Sequence, residues 1–214
     1  YGGTITGGSV THRGGNLYII SGSTLNLYGG VIENGTTASS YSDSSHGGNI
    51  YVSASTLNVY GGTISGGTSQ LLAGNIYMSS GTLNISGGTI TGGSAPNGGN
   101  IAIASGKTAT VSGGVISDGT ATTGNGGNFY TDGGTLNVTG GTIENKTGSG
   151  AACYAIDNYS GSTTTINGGN LTIQVTGGTG EGDGIDSNGS VVINGGTVKS
   201  YACATSGDSG IDAD

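Results

Sequence analysis

One unit recurs along this chain in fixed order, and no other feature restricts the fold as tightly. In Gly47 to Thr68, GGNIYVSASTLNVYGGTISGGT, a GGN entry leads into an apolar pair flanking Tyr51, then TLNV, then GGTI, closing on Gly. Further copies begin at Gly14, Ala73, Gly98 and Gly126, and their entry asparagines fall at Asn16, Asn49, Asn75, Asn100 and Asn128, 25 to 33 residues apart. Within a unit apolar residues alternate with polar ones: Ile50 and Val52 about Tyr51, Leu57 and Val59 about Asn58. A period of two specifies short strands and excludes helices. The phase slips at each Gly-Gly, since alternation from Val59 places Gly61 inside whereas the next apolar residue is Ile64. The Gly pair supplies the backbone freedom for a corner there.

Three short strands with glycine corners, repeated about every 25 residues, describe one coil of a solenoid. The expectation is an all-β, right-handed parallel β-helix of about eight coils, with neighbours at the ordinary strand spacing of ~4.8 Å. A propeller blade needs four strands and a longer repeat, and the leucine-rich spacing is absent. The 50 glycines and 7% charged residues resemble low complexity, but disorder would not hold Ile, Leu and Val in register from unit to unit. Residues 1–146 carry the GGN/TLN/GGTI repeats. From 147 to 214 the Gly-Gly corners stay in phase while GGN gives way to Tyr154-Ala-Ile-Asp157, Gly182-Asp-Gly-Ile-Asp186 and the run ending at Asp212, so the helix is expected to continue with different surface chemistry. Insertions at Gly35–His46, Ser69–Leu72, Ala95–Asn97 and Ala121–Asn125 all fall between GGTI and the next GGN, so loops should project from one edge.

Four basic residues against twelve acidic ones give a net charge of −8, which argues against binding nucleic-acid phosphates. No apolar run is long enough to span a membrane. An acidic chain rich in Gly, Ser, Thr and Asn with two cysteines fits an extracellular or cell-surface setting. Cys153 and Cys203 stand about two coils apart, too far for a disulfide if their positions stack directly, although loops could close the gap; paired and free thiols both stay open.

Three columns of residues are candidates for function. Asp157, Asp186 and Asp212 share the place after Ile, with Asp183 and Asp208 beside them, and like charges one strand apart call for a cation or raised pKa values. Calcium accepts carboxylates and the carbonyls that Gly-rich loops expose, so these five aspartates form a candidate calcium site. The other reading is a solvated acidic edge. Tyr18, Tyr51, Tyr77 and Tyr130 take the outward position after GGN-Ile, and Tyr28 and Tyr60 precede the Gly-Gly corner. Such strips can stack on sugar rings, so all six are candidate glycan-binding residues; cross-strand aromatic pairs also stabilise sheets without any ligand. The GGN asparagines should form a structural amide ladder, and Asn26, Asn58, Asn84 and Asn137 a second. No catalytic residue is assigned, because Arg13, Lys107, Lys146 and Lys199 lie away from the acidic column and His12 and His46 are single.

The run GEGDGIDSNGSVVINGGTV, with the later SGDSGIDAD, resembles the carbohydrate-binding domain family of clostridial cell-surface β-helix proteins, over about residues 152–214. That resemblance implies binding of plant cell-wall polysaccharide and calcium. The first 146 residues are similar to the GGNIY…TLNISGGTISG repeats of large surface proteins from gut Firmicutes, for which no activity follows. The functional expectation is a non-catalytic surface adhesin or carbohydrate-binding module. The alternative is a structural filament subunit. The opening GGTITGG and the closing Gly210 to Asp214 are complementary parts of a coil, and head-to-tail stacking of two such ends would propagate, whereas a cut from a longer repeat protein would leave the same two ends.

Overall fold

The computed structural model describes residues 2–38, 45–123, 125–145, 154–174, 183–201 and 210–213. They form a parallel β-solenoid without helix, of about six turns. The count of about eight coils included the incomplete coils at either end.

Two sheets run the length of the stack, and among the described residues a third spans Ser9 to Ala121. The entry sheet holds eight strands, from Leu17–Ile19 through Ile50–Val52 and Ile76–Met78 to Ile211–Ala213. A broad sheet of twelve strands collects the TLNV and GGTI segments, and a short sheet of five holds two-residue strands such as Thr68–Ser69 and Ser94–Ala95. Every pairing is parallel, and equivalent repeat positions are partners: Ile50 with Ile76, Leu57 with Leu83, Ile64 with Ile90.

The sequence reading differs from this in two places. In three coils the Gly-Gly pair does not end a strand: Gly81–Thr91, Thr108–Ser117 and Thr135–Asn145 run through it with a local shift of register. Gly88 takes φ +78°, and a Cβ on Gly87 would come within 2.3 Å of the Tyr60 carbonyl oxygen in the coil below. The pair is therefore a bulge that bends the strand, turns the apolar phase back inward, and brings adjacent backbones closer than a side chain permits. Second, the segments read as projecting loops begin with the short sheet. Ser69, Ala95 and Ala121 are its buried inward residues, and their small size lets this third face close tightly over the core. Residues 39–44 of the longest insertion, and both cysteines, lie outside the described residues.

Each regular coil buries a matching set of five apolar side chains. In one coil these are Ile50, Val52, Leu57, Val59 and Ile64, and in the next Ile76, Met78, Leu83, Ile85 and Ile90. At ~1.5–3 kcal/mol for each fully buried side chain, one coil gains several kcal/mol, and only when neighbours cover it.

The corner after GGTI turns through the left-handed region at Gly7, Asn34, Gly66, Gly92 and Asp118, all residue types that tolerate it. The GGN corner does the same at Gly14, Gly47, Gly98 and Gly126, but the equivalent residue in one coil is Ala73, at φ +59°.

Inside the GGN corner the amides form a continuous ladder. Nδ2 of Asn16, Asn49, Asn75 and Asn100 each donates to Oδ1 of the next asparagine at 2.7 Å. Each amide also ties the end of the GGTI strand. Asn100 Nδ2 donates to the Ser117 carbonyl, and its Oδ1 accepts from the Gly93 N–H. After Asn128 the equivalent position is Ala155, and polar residues enter the core instead. Met78, Ile103, Thr131, Asn158 and Ser187 occupy one inward position in successive coils. Buried Asn158 accepts from the Thr131 and Thr164 hydroxyls and donates to Ser187 Oγ and the Ser190 carbonyl.

Candidate functional site

The entry strands carry their central residue outward, and strand pairing places those residues in one line. The register gives Tyr18, Tyr51, Tyr77, Ala102, Tyr130, Asp157, Asp186 and Asp212 on consecutive strands. The aromatic strip and the acidic column, read from the sequence as two features, are thus the two halves of a single column. It changes character between Tyr130 and Asp157.

The aromatic half is tightly associated. Tyr18 meets Tyr51 edge-to-face at 5.1 Å, and Tyr51 meets Tyr77 at 5.3 Å with their planes tilted by 47°. The Arg13 guanidinium lies 5.2 Å over the Tyr51 ring, and His46 stacks on Tyr77 at 4.5 Å. With these neighbours Tyr51 is only 4% exposed, while Tyr18 is 49% exposed and Tyr77 half-buried. A hydrogen bond with the Tyr18 phenol, and then the charge that the Tyr51 phenol takes on when ionised, raise the Arg13 pKa above its usual value. Burial raises the phenol pKa values of Tyr77 and Tyr130. Tyr130 also packs toward Tyr159 at 6.1 Å.

Tyr28 and Tyr60 lie apart from this column, at the end of the TLNV segment. They stack face to face at 4.9 Å with 10° between planes and remain 74% and 48% exposed. The next coil has Ser86 in their place, so the stack stops at two rings.

In the acidic half Asp157 is 1% exposed, and burial pushes its carboxyl up to about 7, with Asp186 and then Asp132 adding to the rise. The Asn125 amide opposes the rise only in part, and neither carboxylate oxygen has a partner in good hydrogen-bond geometry. Such an acid is protonated at mild pH or calls for a cation. Asp186 is half-buried and Asp212 exposed, Asp183 is buried beside the column, and Asp208 lies outside the described residues. Among the described residues no three His, Cys, Asp or Glu side chains gather as a metal cluster. Asp157 and Asp186 would supply two carboxylates, and the remaining oxygens of a calcium shell would have to come from backbone or water.

Sequence reasoning weighed Arg13 and His46 only as catalytic groups, setting both aside, and did not single out Asn125 or Asp132. The signal was there for the first three, because Arg13, His46, Leu72, Asn97 and Asn125 all immediately precede the GGN unit. The structure pairs the first four of them in one flanking column. Among the described residues no helix is long and apolar enough to cross a membrane. Comparisons with protein-family models, with curated proteins and with solved structures find no match to this chain.

Proposed function

We propose that this chain is a non-catalytic β-solenoid of the extracellular space or cell surface that binds polysaccharide along the outward column of its entry sheet, with calcium engaged at the acidic half. The observation that carries this reading is the column itself. Tyrosines on adjacent strands give apolar ring surface beside phenol hydroxyls, the pairing of surfaces that a sugar ring offers in return. The acidic half supports the calcium part, because the buried Asp157 carboxylate stands next to Asp186 with its charge poorly compensated. A divalent ion there would remove that cost.

Affinity electrophoresis through gels containing a panel of plant and microbial polysaccharides tests the reading. The parent chain should be retarded by at least one of them, and Tyr77→Ala combined with Tyr130→Ala should abolish that retardation while the far-UV spectrum is unchanged. Free migration of the parent through every gel would remove glycan binding altogether.

A second reading has its own support. Tyr51 is buried by its neighbours, and Tyr28 and Tyr60 spend their facing surfaces on each other. Those contacts suit a structural element, a stalk or filament subunit whose aromatic pairs add ~0.2–1 kcal/mol each to the sheet. It predicts no selective retardation by any polysaccharide.

A further inference from the structure

Within the entry sheet the strands Phe129–Asp132 and Ile156–Tyr159 pair with each other, with Ile101–Ile103 on one side and with Ile185–Ser187 on the other. Their outer surface is therefore set by interior coils of the stack. Each carries two residues on its outer face, two positions apart: Tyr130 and Asp132 on one, Asp157 and Tyr159 on the other. Register puts Tyr130 beside Asp157 and Asp132 beside Tyr159, so rings and carboxylates alternate in both directions. The two rings lie 6.1 Å apart with their planes tilted by 33°. Asp132 is exposed, Tyr159 is 45% exposed and Tyr130 is half-buried. Asp157 lies among them at 1% exposure, with neither carboxylate oxygen in a good hydrogen bond. The Asp132 charge bears on both neighbours. After burial it is the main cause raising the Tyr130 phenol, and behind burial and Asp186 it also lifts the Asp157 carboxyl. Ring faces and carboxylates both attract an ammonium, and rings at this separation put one ammonium within the ~6 Å reach of each. A metal ion would use the carboxylates and leave the ring faces idle. Calcium at Asp157 and Asp186 leaves Asp132 and both rings to a second ligand.

We propose that the glycan held by the column carries free amino groups, and that one amino-sugar unit sits on this patch with its ring against Tyr159 and its ammonium at Asp132, beside Tyr130. The inference rests on the glycan-binding reading and adds the ligand's charge to it. A chain of net charge −8 attracts any polycation at long range. Short ligands at physiological salt, where charges are screened beyond ~8 Å, separate a local site from that general pull.

Calorimetry at neutral pH with three ligands tests it: the tetramer of β-1,4-linked glucosamine, the same tetramer fully N-acetylated, and spermine, which carries amines without a sugar. Each is titrated with calcium present and again with a chelator. The glucosamine tetramer should bind at least ~10-fold tighter than the other two under both conditions. Asp132→Asn should cost it ~10-fold with an unaltered melting temperature, and Asp132→Glu should keep most of the affinity. If Asp132→Asn shifts the melt, Tyr159→Leu carries the comparison, with an expected loss of ~3-fold or more. Equal binding of the two tetramers overturns the inference, as does a folded Asp132→Asn chain that binds like the parent. Failure to bind the glucosamine tetramer, or spermine binding as tightly as it does, overturns it too. Loss of the amine preference when calcium is added would put the ammonium on Asp157 and Asp186, against the assignment to Asp132. All of these results leave the broader reading standing if any polysaccharide retards the chain in the panel above, whereas failure of the whole panel and of both tetramers removes both.

Discussion

Between Asn16 and Asn128 each GGN corner rests on a buried amide bonded to the coils on either side, and the core it encloses is apolar. From Ala155 onward that amide is missing, and the polar groups sit inside the coil, centred on Asn158. The outward column changes at the same place, from Tyr130 to Asp157. Backbone pairing stays parallel and in register through the change. In a solenoid each coil answers only to its neighbours, so both core chemistry and surface chemistry can change along the axis. The adjoining coils satisfy the buried Asn158, while the Asp157 carboxylate is left without such partners.

Removing the device that the aromatic half relies on should have the largest effect. Asn100→Ala would strand the Gly93 N–H and take one of two bonds from the Asn75 amide, the Ser117 carbonyl and Asn128 Oδ1. At ~1–3 kcal/mol for the orphaned group and ~0.5–1.5 kcal/mol for each of the three other bonds, urea denaturation should show a loss of roughly 3–7 kcal/mol. The acidic half should instead be sensitive to pH. The folded Asp157 carboxyl sits at about 7 against an ordinary 3.8, so the folded state keeps a proton that the unfolded chain has released. Stability should therefore be full below about pH 4, fall as pH rises toward 7 and level off above it. The total cost is at most ~4 kcal/mol. Asp157→Asn should flatten that pH profile. At pH 8 calcium should raise the melting temperature of the parent and leave the Asp157→Asn variant unmoved.

A smaller effect of opposite sign is expected within the aromatic half. Ala73 occupies a left-handed position that glycine holds in the equivalent coils, so Ala73→Gly should stabilise by ~1 kcal/mol. The smallest expected change sharpens the contrast between buried and exposed amides. Asn84 donates to Asn58 in the outer ladder, in contact with solvent. Asn84→Ala should cost under ~0.5 kcal/mol, although its spacing along the repeat is the same as that of Asn100.

The fold was legible because Ile, Leu and Val in a period-two pattern, reset at every Gly-Gly, leave one architecture available. The same pattern could not show the short sheet, since two-residue strands such as Thr68–Ser69 are too brief to alternate. It placed Tyr51 outward, and the residue does project from the entry sheet. Its burial comes from Arg13, His46 and the flanking tyrosines, which belong to other coils and another column. Joining the aromatic and acidic strips required a pairing across residues 146–153, where the GGN marker disappears. The inward Thr131–Asn158–Ser187 network was hidden for a similar reason, since Asn and Ser at a strand's third residue are also common on exposed faces.

The claim that one column carries the function can be tested on its side chains. Ring signals of the labelled tyrosines, eleven in all, would be followed by NMR as a retained polysaccharide is added. The account predicts that Tyr18, Tyr77 and Tyr130 shift together and saturably, with Tyr28 and Tyr60 unmoved. Shifts confined to Tyr28 and Tyr60, or no tyrosine shift while the chain is demonstrably bound, would contradict it.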